Sequence, residues 1–193
     1  MQSKRQKEIL DIAVKLLADG GSAGLSIKTI ASAVGVSEPA IYRHFGSKHD
    51  ILCGVIDSFN VIASGLLHEL ESADLPAMNK LGMFMQDRLK RVNAHPKMAK
   101  VMFSEELFQG SAELSERLWA MMHSHKEVVV KIIVSGQAKH EIRDDITPKV
   151  MFRLLFGPMR LLIKQWTLCD FAFDLEQEGN ELWEAQQRLF VAN

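Results

Sequence analysis

Ser26 to Asp50, SIKTIASAVGVSEPAIYRHFGSKHD, is the stretch from which the rest of the chain can be read. Ile27, Ile30, Ala31 and Val34 stand at i, i+3, i+4 and i+7, one apolar face of a helix. Ser26 is placed to cap it. Gly35 follows the last periodic residue, where a residue without Cβ ends a helix in the left-handed conformation. Ser37 can cap a second helix, and Pro39 is tolerated in its first turn, whose N–H groups lack intrahelical partners. Ile41 and Phe45, four apart, face inward. Glu38, Pro39, Tyr42, Arg43 and His44 are left on the outer side. Ser47 with Asp50 resembles a capping box that opens a third helix.

Two helices joined by a short glycine-containing turn make a helix-turn-helix, although an ordinary hairpin of an all-α protein has the same periodicity. In DNA-binding versions the second helix enters the major groove. Its outer side here carries a phenol, a guanidinium and an imidazole, all competent at phosphates or base edges. The run IKTIASAVGVSEPAIYRHFGSKHDIL closely resembles the DNA-binding signature of the TetR family of bacterial transcriptional regulators. The match lies in Ile30-Ala31, Gly35-Val36-Ser37, Ile41-Tyr42, His44-Phe45, Lys48 and Ile51-Leu52, within a motif over about residues 5 to 56. The resemblance implies phosphate contacts by Tyr42, Lys48 and Thr29. It makes Arg43, Glu38 and Ser37 candidates for base edges, with Pro39 and Ala40 near thymine methyls. Lys28 and His44 complete the candidate DNA-facing set, and His44 is often structural in that family. Lys4 and Arg5 could add a basic arm.

Composition sets bounds. The 193 residues are 47% hydrophobic and 24% charged, enough for a sizeable core, and the formal net charge is −1. A chain-wide basic footprint is therefore absent, and a DNA contact would need a local patch. Residues 1–50 hold 7 Lys/Arg against 5 Asp/Glu, a slight local excess. The two cysteines, Cys53 and Cys169, sit in apolar contexts and read as buried free thiols of a reducing, cytoplasmic protein. The N-terminal residues show no apolar signal core, and no uninterrupted apolar run is long enough to span a membrane. The five prolines are expected to punctuate helix starts.

The expected architecture is all-α, with about nine helices. Residues 1–47 would form a three-helix DNA-binding domain and residues 48–193 a helical ligand-binding and dimerisation domain. Periodicity predicts helices over about Ser3–Asp19, the two of the motif, Lys48–Glu71, Pro76–Asn93, Lys97–Phe108, Ser111–Lys139, Thr147–Cys169 and from Asp174 onward.

Methionine and phenylalanine are concentrated between Met83 and Met122. Methionine is adaptable and over-used at binding surfaces, and small-molecule pockets are mostly apolar. Plain core packing explains any one of these residues equally well. As a group they suggest a pocket lined by Phe59, Ile62, Met85, Met98, Met102, Phe103, Met121 and Met122, with Glu106 and His125 as polar contacts. The TetR resemblance places the ligand among these helices. The segment after Pro148 is apolar nearly all round and must be covered on both sides. With the last helix it suggests a homodimer through a four-helix bundle, using Phe152, Phe156, Gly157, Arg160, Trp183 and Phe190. The histidines fall into no recognised ligand pattern, so neither metal nor cofactor is expected. A phosphate-binding G-x-x-x-x-G-K-[ST] and H-E-x-x-H are both missing, which argues against an enzyme. The expected function is a ligand-responsive regulator, most often a repressor in this family, released from a near-palindromic double-stranded operator by a small apolar effector. The alternative is a helical small-molecule-binding protein or enzyme with no sequence-specific DNA role.

Overall fold

The computed structural model describes residues 2–108 and 111–192, with every side chain among them except those of His68, Glu105 and Glu106. The regular elements among these residues are helices, as expected. The only extended pairing among them is an antiparallel bridge between Ile142 and Val191. The chain divides into two compact units, residues 1–61 with 97–119 and residues 62–96 with 120–193.

In the first unit, α1 (Lys4–Gly24) starts at Ser3, whose hydroxyl accepts from the Gln6 amide while the Gln6 side chain accepts from the Ser3 N–H. Gly21, at φ +60, kinks it, and it runs beyond the expected end near Asp19. In α2 (Ile27–Val34), Ser26 and Thr29 cap reciprocally. Gly35 ends it at φ 78, its N–H donating back to Ala31. The second helix of the motif is short, α3 (Glu38–Tyr42). Ser37 stands in the N-cap position, but its hydroxyl makes no capping hydrogen bond. The unit also holds most of α4 (Lys48–Ser64), α7 (Pro96–Met102), the 3-10 turn Glu105–Phe108 and the start of α8 (Ala112–Ala138). Its core is Ile9, Leu10, Ala13, Leu17, Leu25, Ile30, Ile41, Ile51, Val55 and Ile56. A Cβ at Gly54 would stand 2.9 Å from Leu10 Cδ2 and 3.3 Å from Phe45, so α4 crosses its neighbours at a glycine.

The second unit holds α5 (Leu67–Ser72), α6 (Ala77–Ala94), the rest of α8, α9 (Pro148–Leu168) and α10 (Leu175–Phe190). The helix expected over Lys48–Glu71 is therefore two helices, interrupted at Gly65-Leu66. A Cβ at Gly65 would lie 2.8 Å from an Arg91 guanidinium nitrogen, so the break sits where a long side chain crosses the backbone. By composition Lys48–Ser72 is long and apolar enough to cross a membrane. The interruption and the burial of Ile51, Val55, Ile56, Ala63 and Leu70 make it core instead. α6 packs on α10 across two glycines. A Cβ at Gly82 would meet the Trp183 indole at 2.9 Å, and one at Gly179 would meet Leu89 at 2.2 Å.

Pro158 corrects the expectation that prolines mark helix starts, since it lies inside α9. It leaves the carbonyl of Leu154 without its helical donor. Gln186 of α10 supplies the missing donor, its amide reaching the Leu154 carbonyl at 2.7 Å and that of Leu155 at 3.0 Å.

Candidate functional site

The helix-turn-helix presents its residues as the periodicity requires. Ile41 is fully buried and anchors α3, while Tyr42, the next residue, is 51% exposed. Lys28, Thr29, Ser37, Glu38, Pro39 and Arg43 are also exposed; Ala40, His44 and Lys48 are half-buried. Two of these side chains and one backbone carbonyl have tasks within the protein. The Thr29 hydroxyl accepts from the Ser26 N–H at 2.8 Å and lies within hydrogen-bond distance of the Gly24 and Ser26 carbonyls, so it belongs to the α2 cap. Lys48 Nζ donates to the Ser22 carbonyl at 3.0 Å, tying the start of α4 to the end of α1. The backbone carbonyl of His44 accepts from the Gln6 side chain. Near the N-terminus, Arg5 pairs with Glu8 on its own helix.

A network behind this surface escaped the sequence reading. His49 donates to Glu113 at 2.8 Å, and the Cys53 thiol lies 3.7 Å from the same carboxylate. Arg117 reaches both Glu113 and Asp57. His49, Cys53 and Glu113 bring ligand-type atoms within 4.8 Å of one another, and no spacing rule could have joined residues that far apart in sequence. The Arg117 guanidinium on the same carboxylate competes with any cation, so the group reads as a charge-balanced clamp between α4 and α8. The hydrogen bond from His49 holds the Glu113 carboxyl below its ordinary range, and burial pushes the Cys53 thiol up. Cys53 is buried as expected, whereas Cys169 is exposed.

The ten candidate effector residues divide between the units. Phe59, Met98, Met102 and Phe103 belong to the first. Ile62, Met85, Met121, Met122 and His125 belong to the second, where Met85 and His125 are buried and Met122 is exposed. The Glu106 side chain lies outside the described residues. Burial, with the Arg88 charge, pushes His125 down to about 4, so its ring is neutral at physiological pH. Its Nε2 lies 3.4 Å from the Ser64 hydroxyl. Arg88 itself went unnoticed in the sequence; it occupies a core position of α6 and is 5% exposed.

Four of the six candidate dimer residues lie on α9. Phe152 and Phe156 are half-buried and stacked 5.5 Å apart, Arg160 is half-buried and Gly157 is open to solvent. Trp183 and Phe190 correct the expectation. Both are buried within the protomer, Trp183 against Gly82, so neither is left to face a partner. The apolar side chains that are exposed on these helices are Val150, Leu154, Leu161, Leu168 and Leu189.

Comparison with known proteins gives a consistent picture. The profile of the tetR family of bacterial regulatory proteins matches residues 9–53, and that of the C-terminal region of YsiA-like proteins matches residues 61–188. The chain is 32% identical over 151 residues to the HTH-type transcriptional repressor NicS of Pseudomonas putida, covering 75% of this chain and 69% of that one. It is 24% identical to the fatty acid metabolism regulator protein of Bacillus subtilis over 95% of both. Among solved structures, the regulator FadR from Bacillus subtilis in complex with stearoyl-CoA superposes with a TM-score of 0.79 at 22% identity, over 93% of this chain and 96% of that one.

Proposed function

The chain belongs to the TetR family of bacterial regulatory proteins, DNA-binding transcriptional regulators, and we propose that it acts as a cytoplasmic homodimeric repressor released from its operator by an effector with a long apolar portion. The observation that carries this is the division of labour in α3. Ile41 is locked in the core, and Tyr42 and Arg43 stand outward beside it. A recognition helix needs that arrangement, an apolar anchor that fixes the angle and polar side chains free to reach phosphate and base edges.

In this reading, residues 1–47 are the DNA-binding domain and residues 48–193 bind the effector and the second protomer. Tyr42 and Lys48 hold phosphates. Arg43, with Ser37 and Glu38, reads base edges, and Pro39 and Ala40 lie against thymine methyls. Thr29 contributes mainly by fixing the end of α2. Two protomers present their recognition helices roughly 34–36 Å apart, one turn of the duplex, which calls for a near-palindromic operator. The effector is bound and released without turnover. Its nature is suggested by the relatives, one a fatty acid metabolism regulator and another solved with stearoyl-CoA. The division between the units falls inside α4 and inside α8. An effector that favours one arrangement of these helices shifts the population away from the DNA-competent form, by no more than its differential affinity for the two states.

The test is selection from a pool of random duplexes with the purified full-length protein, followed by sequencing of the bound fraction. A near-palindromic consensus is the expected result. Absence of enrichment at low salt with folded protein would overturn operator binding. The selected duplex then serves to screen acyl compounds for release.

A further inference from the structure

We propose that Arg88 is the counter-charge for an anionic head group on the effector, with His125 and Ser64 as neutral hydrogen-bonding neighbours. The effector would then be an amphipathic acid rather than a neutral apolar molecule. The proposal rests on the effector-binding role just argued for the second unit.

Arg88 occupies a position where the helix pattern calls for an apolar side chain. Leu81, Phe84, Met85, Arg88, Leu89 and Val92 form the buried stripe of α6. A guanidinium there is costly unless it is paired. Its own helix does not pair it. Asp87, the adjacent carboxylate, points elsewhere, because neighbours i and i+1 do not share a helix face. That carboxylate already accepts from Arg91 Nε, at 2.8 and 2.7 Å. Arg88 Nε is buried and has no hydrogen-bond partner. The nearest compensation is the Phe84 ring, with the guanidinium carbon 5.0 Å from its centroid, a contact that accepts no hydrogen bond from the fork. Burial lowers Arg88 to about 10, which still leaves it charged at neutral pH. His125, whose neutral form is favoured by burial and by the Arg88 charge, lies in the same unit with its Nε2 3.4 Å from the Ser64 hydroxyl. These groups, all in the second unit, supply one fixed cation and two neutral hydrogen-bonding side chains, and Met85 and Leu89 are buried on the same helix as Arg88. An apolar chain ending in a carboxylate or carrying a phosphate matches that set. Arginine, with its planar fork, suits either oxyanion.

The experiment uses the full-length protein, its Arg88→Met and Arg88→Lys variants, and three probes: stearate, stearoyl-CoA and octadecanol. Binding is read from tryptophan fluorescence and from release of the selected operator duplex. Without ligand, Arg88→Met is expected to fold and melt no lower than the parent, since replacing an unpaired buried charge by an apolar group of similar length removes a cost. In the parent, at least one anionic probe is expected to bind about tenfold or more tightly than octadecanol, and Arg88→Met should erase that preference. Arg88→Lys should keep part of it. A preference for stearate identifies the carboxylate as the anion read; a preference confined to stearoyl-CoA identifies phosphate. Equal binding of octadecanol and the anions overturns the proposal while leaving effector-driven release intact. So does an Arg88→Met variant that retains the preference, or one that melts well below the parent, which would make Arg88 a structural residue. Failure of every probe to bind the parent overturns both the acid and the long-chain reading, and operator selection alone then decides whether the regulator reading stands.

Discussion

Tyr42 and Arg43 are exposed beside a fully buried Ile41, so their side chains can be removed without touching the core. Arg43→Ala is expected to weaken operator binding by about 1–3 kcal/mol and to relax specificity at the base it reads, with the melting temperature unchanged. Competition binding against single-base operator variants checks this, and unchanged affinity at every position would remove Arg43 from the interface. Lys48→Ala differs, because that ammonium also holds the Ser22 carbonyl. It should lower the salt slope of binding by about one and also cost some stability. His125 gives a prediction without DNA. Its folded pKa of about 4 lies below the ordinary value of 6.5. The unfolded chain therefore takes up a proton that the folded one refuses, and stability is lost as pH falls from about 6.5 to about 4, by up to about 3 kcal/mol before solvent screening is allowed for. Denaturant melts at several pH values should show that loss in the parent and a flatter profile in His125→Gln. Equal slopes would mean that His125 is protonated in the folded protein. The outward side of α3 was legible in the sequence because one helix turn fixes which side chains oppose Ile41. Arg88 and His125 were not legible as a pair, because their meeting depends on how α6 and α8 pack.

Helix boundaries followed from caps and periodicity: α6, α8 and α9, and the start of α10, lie within about two residues of expectation, whereas α7 ends at Met102, short of the expected Phe108. Two other departures share a cause. Gly65 and Pro158 each stand where the apolar pattern runs on unbroken, and at each a side chain from another helix meets the backbone, Arg91 at Gly65 and Gln186 at the carbonyl that Pro158 leaves free. At Pro158 the partner is Gln186. Gln186→Leu would leave the Leu154 carbonyl, which has already lost its helical donor, without that hydrogen bond. The expected cost is about 1–3 kcal/mol, read from a denaturant melt. A neutral result would mean that α9 holds its shape without α10. Gly179 tests the same pair of elements from the other side. Its Cβ in Gly179→Ala would run into the buried Leu89 side chain, and a packed interior resists overpacking. A loss of about 1–3 kcal/mol is expected there, whereas Gly157→Ala, with open space around it, should be far milder.

For the whole molecule, the decisive question is what covers α9. Val150, Leu154, Gly157, Leu161 and Leu168 follow one another at helical spacing along its exposed side, with Leu161 59% and Leu168 72% exposed, and Leu189 adds to the apolar surface on α10. Apolar residues recurring over that length on a water-facing helix, broken only at Lys164 and Gln165, mark an interaction surface. A two-fold contact is self-complementary, so a single charged substitution enters it twice. Leu161→Glu should therefore dissociate the dimer while each protomer stays folded, because the side chain it replaces is not part of the protomer core. Sedimentation at micromolar protein is the direct check. Operator binding follows from the same geometry. In the proposed dimer each protomer would hold one half-site, and coupling two of them would make the second contact intramolecular, raising the overall affinity by about 10²–10⁴. The variant should lose that factor on the full palindrome while its affinity for an isolated half-site stays unchanged. A Leu161→Glu protein that remains dimeric and binds the palindrome normally would move the interface off α9 and leave its apolar stripe without a partner.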